Sequence, residues 1–196
     1  MTKPAPLLLI VTGPPAAGKS TLAARLAADL HLPLFSKDMF KEALHERFGG
    51  SDRLASQQLG VAAYDLLYVV TEAELAAGRS LLVEANFRPE VSGAYFQAIL
   101  GRHPAAPVQV HCTASPEVLA DRFRRRSDEG GRHPVHVDRE LQDAVRLHAE
   151  HGPMDLGGPI IEVGTDEFTK LDYHRVLESA RAAMLRSHAV LIVKSL

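Results

Sequence analysis

Short runs of consecutive apolar residues alternate along this chain with longer segments whose apolar residues recur every three or four positions. Runs that are apolar throughout are typical of parallel strands buried on both faces, and the longer spacing is typical of amphipathic helices. The predicted strands are 7–11, 32–35, 80–84, 108–112 and 159–163. The predicted helices are about 19–30, 39–48, 54–77, 89–100, 115–126, 139–150 and 172–186. Strands that alternate with helices predict a parallel sheet with right-handed crossovers, and therefore a three-layer α/β/α fold.

Two apolar segments raise questions that the pattern leaves open. The long segment 54–77 carries an apolar stripe at helical spacing, which we expect to face the core. The stripe consists of Leu59, Ala62, Leu66, Val69, Val70 and Ala73. The segment 189–193 is also apolar but follows the last predicted helix. It fits either an added edge strand or a contact in a homodimer.

The loop after the first predicted strand has the spacing G-x-x-x-x-G-K-[ST] of a phosphate-binding loop. A buried strand precedes it and a helix follows it, which is the context that this motif requires. Its glycines let backbone N–H groups approach phosphate oxygens, and the positive end of the helix adds partial charge. We expect Lys19 to reach the β- and γ-phosphates and the Ser20 hydroxyl to ligate Mg²⁺. The predicted nucleotide-binding residues are Gly13, Pro14, Pro15, Ala16, Ala17, Gly18, Lys19, Ser20 and Thr21.

Composition and charge narrow the class of protein. A length of 196 residues with 46% hydrophobic content fits one globular domain, here residues 1–196. A net charge of −2 lacks the basic excess that a large nucleic-acid footprint would leave. The single cysteine, Cys112, allows no intrachain disulfide, and the first apolar run is too short to span a membrane. We therefore expect a cytoplasmic protein without a membrane partner.

Other signatures separate three classes that share this loop. A guanine-nucleotide switch carries N-K-x-D after a late strand, whereas the only asparagine here is Asn86, followed by Phe87. A ring-forming ATPase would have a strand ending in Asp-Glu and a further helical domain, and this chain ends the strand in Glu84-Ala85. The remaining class is a small kinase, in which the loop holds the donor and the carboxyl ends of the strands face the acceptor.

On these residues the chain resembles the small P-loop kinases that include polynucleotide 5′-kinase, chloramphenicol phosphotransferase and the zeta-type toxins. The segment 36–41 resembles the one after the second strand of this group, where an aspartate is the general base; the resemblance assigns that role to Asp38. The segment 84–88 resembles the one after the third strand, with an acidic residue and a basic residue four positions later. Arg122 and Arg126 match the lid arginines that embrace the ATP phosphates. The resemblance implies the P-loop NTPase fold with an arginine-bearing helical lid over about 122–138.

The acceptor-side residues each have a second interpretation. Asp38 is either a base on an acceptor hydroxyl or only the N-cap of the following helix. Lys41, on the same helix face, either holds a substrate group or is a solvated lysine. Glu84 either serves Mg²⁺ and substrate or forms a structural salt bridge with Arg88. We predict the functional interpretation for Asp38 and Glu84, place Lys41 and Arg88 among the substrate-binding residues, and assign the metal to Ser20 and Glu84.

The basic helix end and the histidines that follow it have several interpretations. Arg122 and Arg126 are spaced to grip one anion, but a solvated helix end or a nucleic-acid patch would also be basic. We predict that they neutralise the transferring phosphoryl group. His133 and His136 are expected to line the acceptor side of the lid. Thr165 is expected to border the adenine, as that region does in similar kinases.

These assignments predict an ATP- and Mg²⁺-dependent kinase that phosphorylates a hydroxyl group of a small molecule, such as an antibiotic or a sugar-bearing metabolite. The predicted catalytic residues are Lys19, Asp38, Arg122 and Arg126. One alternative is a polynucleotide 5′-hydroxyl kinase, which the near-neutral charge disfavours. A second alternative is a non-catalytic, nucleotide-gated binding module.

Overall fold

The computed structural model describes residues 5–50, 52–128, 133, 135–136 and 151–193. Five strands form one parallel sheet in the order β2-β3-β1-β4-β5. They are β1 (Leu7–Thr12), β2 (Leu34–Ser36), β3 (Leu81–Glu84), β4 (Ala106–Thr113) and β5 (Ile160–Gly164). The helices are α1 (Lys19–Leu30), α2 (Lys37–Phe48), α3 (Arg53–Ala76), α4 (Pro89–Arg102), α5 (Pro116–Asp128) and α6 (Tyr173–Val193), with a short 3-10 helix at Phe168–Lys170.

The central strand β1 is buried along its whole length, as its apolar run predicts. Alternate side chains of a strand point to opposite faces of the sheet. Leu7, Leu9 and Val11 pack in a core cluster with α1, α5 and α6. Leu8 and Ile10 pack in a second cluster with α3 and α4. The predicted three-layer α/β/α fold is therefore confirmed.

The register of the sheet brings three chain segments to one edge. Val11 of β1 lies beside Glu84 of β3, and Glu84 lies beside Ser36 of β2. The phosphate-binding loop, the start of α2 and the end of β3 consequently meet at the carboxyl edge, where ligands bind in open parallel sheets.

The predicted core face of α3 is wrong. Val69 is 63% exposed and Leu66 is 38% exposed. The buried side chains are Ser56, Ala63, Leu67, Tyr68, Thr71 and Leu75. Apolar residues surround most of this helix, so spacing alone could not identify the side that packs against the sheet.

Leu67→Ala should destabilise the fold by about 2–5 kcal/mol, because a fully buried leucine leaves a cavity when it is truncated. Val69→Ala, two residues along the same helix, should change stability by only about 0.5 kcal/mol because its side chain faces outward. Chemical denaturation of both variants measures the difference. Equal losses would contradict the observed orientation of α3.

The C-terminal segment 189–193 continues α6, so the edge-strand interpretation is wrong. The predicted helix 139–150 and most of the predicted lid after residue 128 lie outside the described residues. Within the described ranges, no helix combines the length and apolar character needed to cross a membrane.

Candidate active site

The phosphate-binding loop joins β1 to α1, as predicted. Gly18 precedes the helix with φ at 75°, and within the described part of the chain no side chain caps this helix terminus. The first backbone N–H groups of α1 are thus available to an anion, whose charge the helix dipole favours. Lys19 is the first residue of the helix and donates from Nζ to the carbonyl oxygen of Pro14 at 2.7 Å. This hydrogen bond folds the lysine back over its own loop.

The backbone conformation at position 13 and its close approach to β4 both require glycine. Its φ of 135° lies in a region that side-chain-bearing residues rarely adopt. A Cβ atom at this position would overlap the carbonyl oxygen of Cys112 in β4. The loop can therefore leave β1 beside β4 only with glycine at position 13.

Gly13→Ala should cost about 1–3 kcal/mol of stability, the usual range for a strained backbone conformation, and should weaken nucleotide binding by displacing the loop. Gly101→Ala, in the last turns of α4 with open space around its Cβ position, should be neutral or stabilise by up to about 1 kcal/mol. Thermal unfolding and titration with ATP test both variants. A Gly13→Ala protein as stable as the parent would contradict the close approach to β4.

Charged groups surround the loop lysine. Burial lowers the pKa of Lys19, while the carboxylates of Glu84 and Asp38 oppose this shift and the guanidinium of Arg126 adds to it. Burial also raises the pKa of Glu84, and the ammonium of Lys19 acts against that rise. These mutual effects place the lysine, both carboxylates and Arg126 in one electrostatic neighbourhood.

Glu84 bonds to the loop rather than to Arg88. Its Oε2 atom accepts a hydrogen bond from the Ser20 hydroxyl at 3.2 Å, and the residue is only 5% exposed. Arg88 is exposed and lies at the start of α4. The hydroxyl and the carboxylate are hard oxygen donors of the kind that Mg²⁺ takes, and they are already in contact. The pair fits the predicted metal site.

Asp38 lies at the start of α2 but does not cap it. The cap is Ser36, whose Oγ accepts from the backbone N–H of Met39 at 3.1 Å. The N-cap interpretation of Asp38 is therefore wrong, because the carboxylate occupies the first turn instead. Asp38 Oδ1 lies 2.9 Å from Nζ of Lys37, and its Oδ2 lies 4.0 Å from Nε2 of His136. Its carboxylate faces the segment expected to line the acceptor side.

The two predicted phosphate-binding arginines have different surroundings. Arg122 donates from Nη2 to the carbonyl oxygens of Thr165 at 2.5 Å and Asp166 at 3.0 Å. The Thr165 side chain is fully buried and donates to the carbonyl of Thr113. Arg126 packs its guanidinium over the ring of Phe123 and is the arginine that perturbs Lys19. The structure thus brings Arg126 toward the loop and ties Arg122 to the turn after β5.

Lys41 is not a solvated lysine, because it is 7% exposed and donates to the Ser56 hydroxyl at 2.7 Å. Ser56 in turn donates to the carbonyl oxygen of Val135 at 2.7 Å. The next residue, His136, contacts α2, with its Nε2 atom 2.9 Å from Oε1 of Glu42. Val135 and His136 are therefore held against α3 and α2 on the acceptor side of the sheet.

Sequence reasoning missed Tyr64 as a member of this neighbourhood. Its hydroxyl donates to the carbonyl of Asn86 at 2.9 Å. Burial raises the pKa of Tyr64, the carboxylates of Asp38 and Glu84 raise it further, and Arg88 acts in the opposite direction. Tyr64 belongs to no recognisable motif of the sequence, so only the fold reveals that it lies beside the acceptor-side carboxylates.

Known proteins share this architecture. The AAA domain family model AAA_33 matches residues 8–151. A candidate kinase from Chloroflexus aurantiacus J-10-fl is 37% identical, with a TM-score of 0.82 over 91% of this chain and 98% of that chain. No curated protein matches the chain.

More distant solved structures share the fold. A gluconokinase from Sinorhizobium meliloti 1021 is 18% identical, with a TM-score of 0.54 over 99% of this chain and 100% of that chain. Kti12 from Chaetomium thermophilum, in complex with ADP-AlF3, is 18% identical, with a TM-score of 0.63 over 90% of this chain and 98% of that chain. Because the family model spans most of the sequence and the similar Chloroflexus structure covers nearly all of it, this chain belongs to the AAA_33 family of P-loop kinases.

Proposed function

We propose that this protein transfers the γ-phosphoryl group of ATP, with Mg²⁺, to a hydroxyl group of a small molecule. The observation that carries the proposal is the convergence at the carboxyl edge of the sheet of the loop that bears Lys19, of Asp38 in the first turn of α2, and of Glu84, which accepts a hydrogen bond from the Ser20 hydroxyl. Phosphoryl transfer depends on positioning and charge stabilisation. Lys19 can bind the phosphates, Glu84 contacts the Ser20 hydroxyl on the nucleotide side, and Asp38 lies near Lys37 and His136 on the acceptor side. The 37% identical candidate kinase supports a kinase-type activity.

In the proposed reaction the acceptor hydroxyl gives its proton to a carboxylate oxygen of Asp38 while its oxygen attacks the γ-phosphorus. The bond between that phosphorus and the bridging oxygen breaks, and ADP leaves with the electron pair. Lys19 and Arg126 offset the negative charge on the transferring group. Mg²⁺, when held by Ser20 and Glu84, supplies further charge neutralisation to the phosphates.

Two features favour a small acceptor over a polynucleotide. The segment at residues 135 and 136 is fastened to α2 and α3 on the acceptor side by Ser56 and Glu42, which narrows the approach to Asp38. The net charge of −2 offers no general attraction to a phosphate backbone.

The test is transfer of labelled γ-phosphate from ATP to a panel of nucleosides, aminoglycosides, phenicols, sugars and 5′-hydroxyl oligonucleotides. We expect a labelled small molecule with the parent protein and none with Lys19→Met. Labelling of oligonucleotides with a steep salt dependence would instead indicate the polynucleotide kinase. Stable ATP binding with no acceptor labelled, together with a nucleotide-dependent protein partner, would favour the binding module and overturn the proposal.

A further inference from the structure

A cluster of metal-ligating side chains lies outside the phosphoryl-transfer site. His45 and Glu46 lie near the end of α2, and His133 reaches them from the segment after α5. One ligand atom from each residue lies within 4.8 Å of the other two. The imidazole rings of His45 and His133 are perpendicular, with centroids 4.9 Å apart. Residues almost ninety positions apart thus converge on one point.

The hydrogen bonding of His45 leaves one ring nitrogen with a lone pair that can ligate a metal ion. Its Nε2 atom lies 2.9 Å from the carbonyl oxygen of Gly50, which can only accept, so Nε2 carries the proton. Its Nδ1 atom is then unprotonated, and it is buried with no hydrogen-bond partner among the residues that the structure describes. A ligating histidine commonly donates its second ring N–H to a backbone carbonyl, which is the arrangement found here.

Glu46 and His133 complete the set. Nε2 of His133 lies 2.8 Å from Oε1 of Glu46. A metal ion between these atoms would replace the shared proton. The His133 ring would then carry its proton on Nδ1 and give up only a long contact of 3.3 Å from the backbone N–H of Val135. The Glu46 side chain is 73% exposed, so solvent can supply a fourth ligand.

We propose that His45, Glu46 and His133 form a site for a divalent transition metal, with Zn²⁺ as the ion that the donors suit best. Two imidazoles, one carboxylate and a water match the open tetrahedral sites of zinc. Imidazole nitrogen favours such ions over Mg²⁺, which takes oxygen donors. The proposed zinc site is therefore distinct from the Ser20 and Glu84 pair, whose donor atoms are all oxygen. Occupancy would cross-link α2 to the segment after α5.

The test is calorimetric titration of ZnCl₂ into tag-free, EDTA-treated and dialysed protein, with millimolar MgCl₂ present to saturate oxygen sites. We expect one Zn²⁺ per chain and a higher melting temperature on binding. His45→Gln and Glu46→Gln should each weaken binding by at least about tenfold, since losing even an outer partner of a metal ligand costs that much. Circular dichroism establishes that each variant folds, and the exposed Glu46 makes its variant the safer of the two.

The matched control is His174→Gln, which removes an exposed imidazole on α6 away from the cluster and should leave zinc affinity unchanged. Co²⁺ gives an independent readout, because a tetrahedral site containing imidazole produces visible absorption that His45→Gln should abolish. The proposal is overturned if the parent protein binds no stoichiometric Zn²⁺. It is equally overturned if both ligand variants bind as tightly as the parent.

Discussion

Replacing Lys19 by methionine should reduce phosphoryl transfer by at least about 10³-fold. Removing a single neutral donor to developing charge typically costs about 10²–10³ in rate, and Lys19 supplies a full charge within a buried loop. Methionine keeps the length and apolar stem of the side chain, so the loop retains its packing. Turnover of ATP with the acceptor found in the labelling screen measures the effect.

Arg79→Met is the matched control for loss of a long basic side chain. Arg79 pairs with Glu74 just before β3, at the opposite edge of the sheet from the phosphate-binding loop. Its replacement should leave turnover within about twofold, because exposed ion pairs contribute little. If the turnover of Lys19→Met were within tenfold of the parent's, Lys19 would have no role in the transfer step.

The same substitution should change how stability depends on pH. Burial raises the pKa of Glu84 above its usual value, and Lys19 is the largest influence that holds this rise back. Without the lysine, the pKa of Glu84 in the folded protein rises further above its value in the unfolded chain. The sign follows from linkage: stability is retained below the ordinary pKa of a glutamate and is lost as pH rises through the raised value.

The melting temperature of Lys19→Met should therefore lie further below that of the parent at pH 7.5 than at pH 5. Adding Glu84→Gln to Lys19→Met should remove most of that difference, because the titrating carboxylate is gone. A pH dependence that persists in the double variant would place the responsible group elsewhere.

The phosphate-binding loop could be predicted because its geometry depends on consecutive residues. Gly13 and Gly18 take positive φ values within one short turn, and the flanking strand and helix are visible as local patterns. The sheet architecture could be predicted for the same reason, since continuous apolar runs mark strands with both faces covered. Local signals thus determine the donor half of the candidate site.

The acceptor half depends on contacts between distant residues, which the sequence does not encode locally. Ser56 is buried because the carbonyl of Val135 accepts its hydrogen bond, and Tyr68 is buried against the hydroxyl of Ser92. Neither polar position interrupts the helical pattern of α3, so the apolar spacing predicts the outward side of the helix as its core face. Ser36 and Asp38 are both common helix caps, and only the register of β2 beside β3 decides between them.

Asp38→Asn should lower the rate of transfer by about 10²–10⁴-fold, the usual contribution of a positioned base, while ATP affinity stays within about twofold. The asparagine keeps the shape and one acceptor oxygen but cannot take a proton. ATP affinity is preserved because the phosphate-binding contacts come from the loop and α1, whereas Asp38 lies at the start of α2. Single-turnover transfer and equilibrium ATP binding separate the two effects.

Asp65→Asn is the matched control, because Asp65 is exposed on α3 and is absent from the neighbourhood of Lys19. It should leave both transfer and ATP affinity unchanged. The fold should also tolerate Asp38→Asn, since Ser36 rather than Asp38 caps α2 and the ion pair with Lys37 is partly exposed. A large loss of stability would instead assign Asp38 a structural role.

The pH–rate profile distinguishes a base from a group that merely orients the acceptor. If Asp38 takes the proton, the acidic limb of the parent profile disappears in Asp38→Asn and the residual rate becomes insensitive to pH there. If Asp38 only orients the hydroxyl, asparagine keeps much of the rate and the limb persists. Because Asp38 Oδ2 and His136 Nε2 are 4.0 Å apart, a persisting limb in Asp38→Asn that vanishes in His136→Gln would transfer the role of base to the histidine.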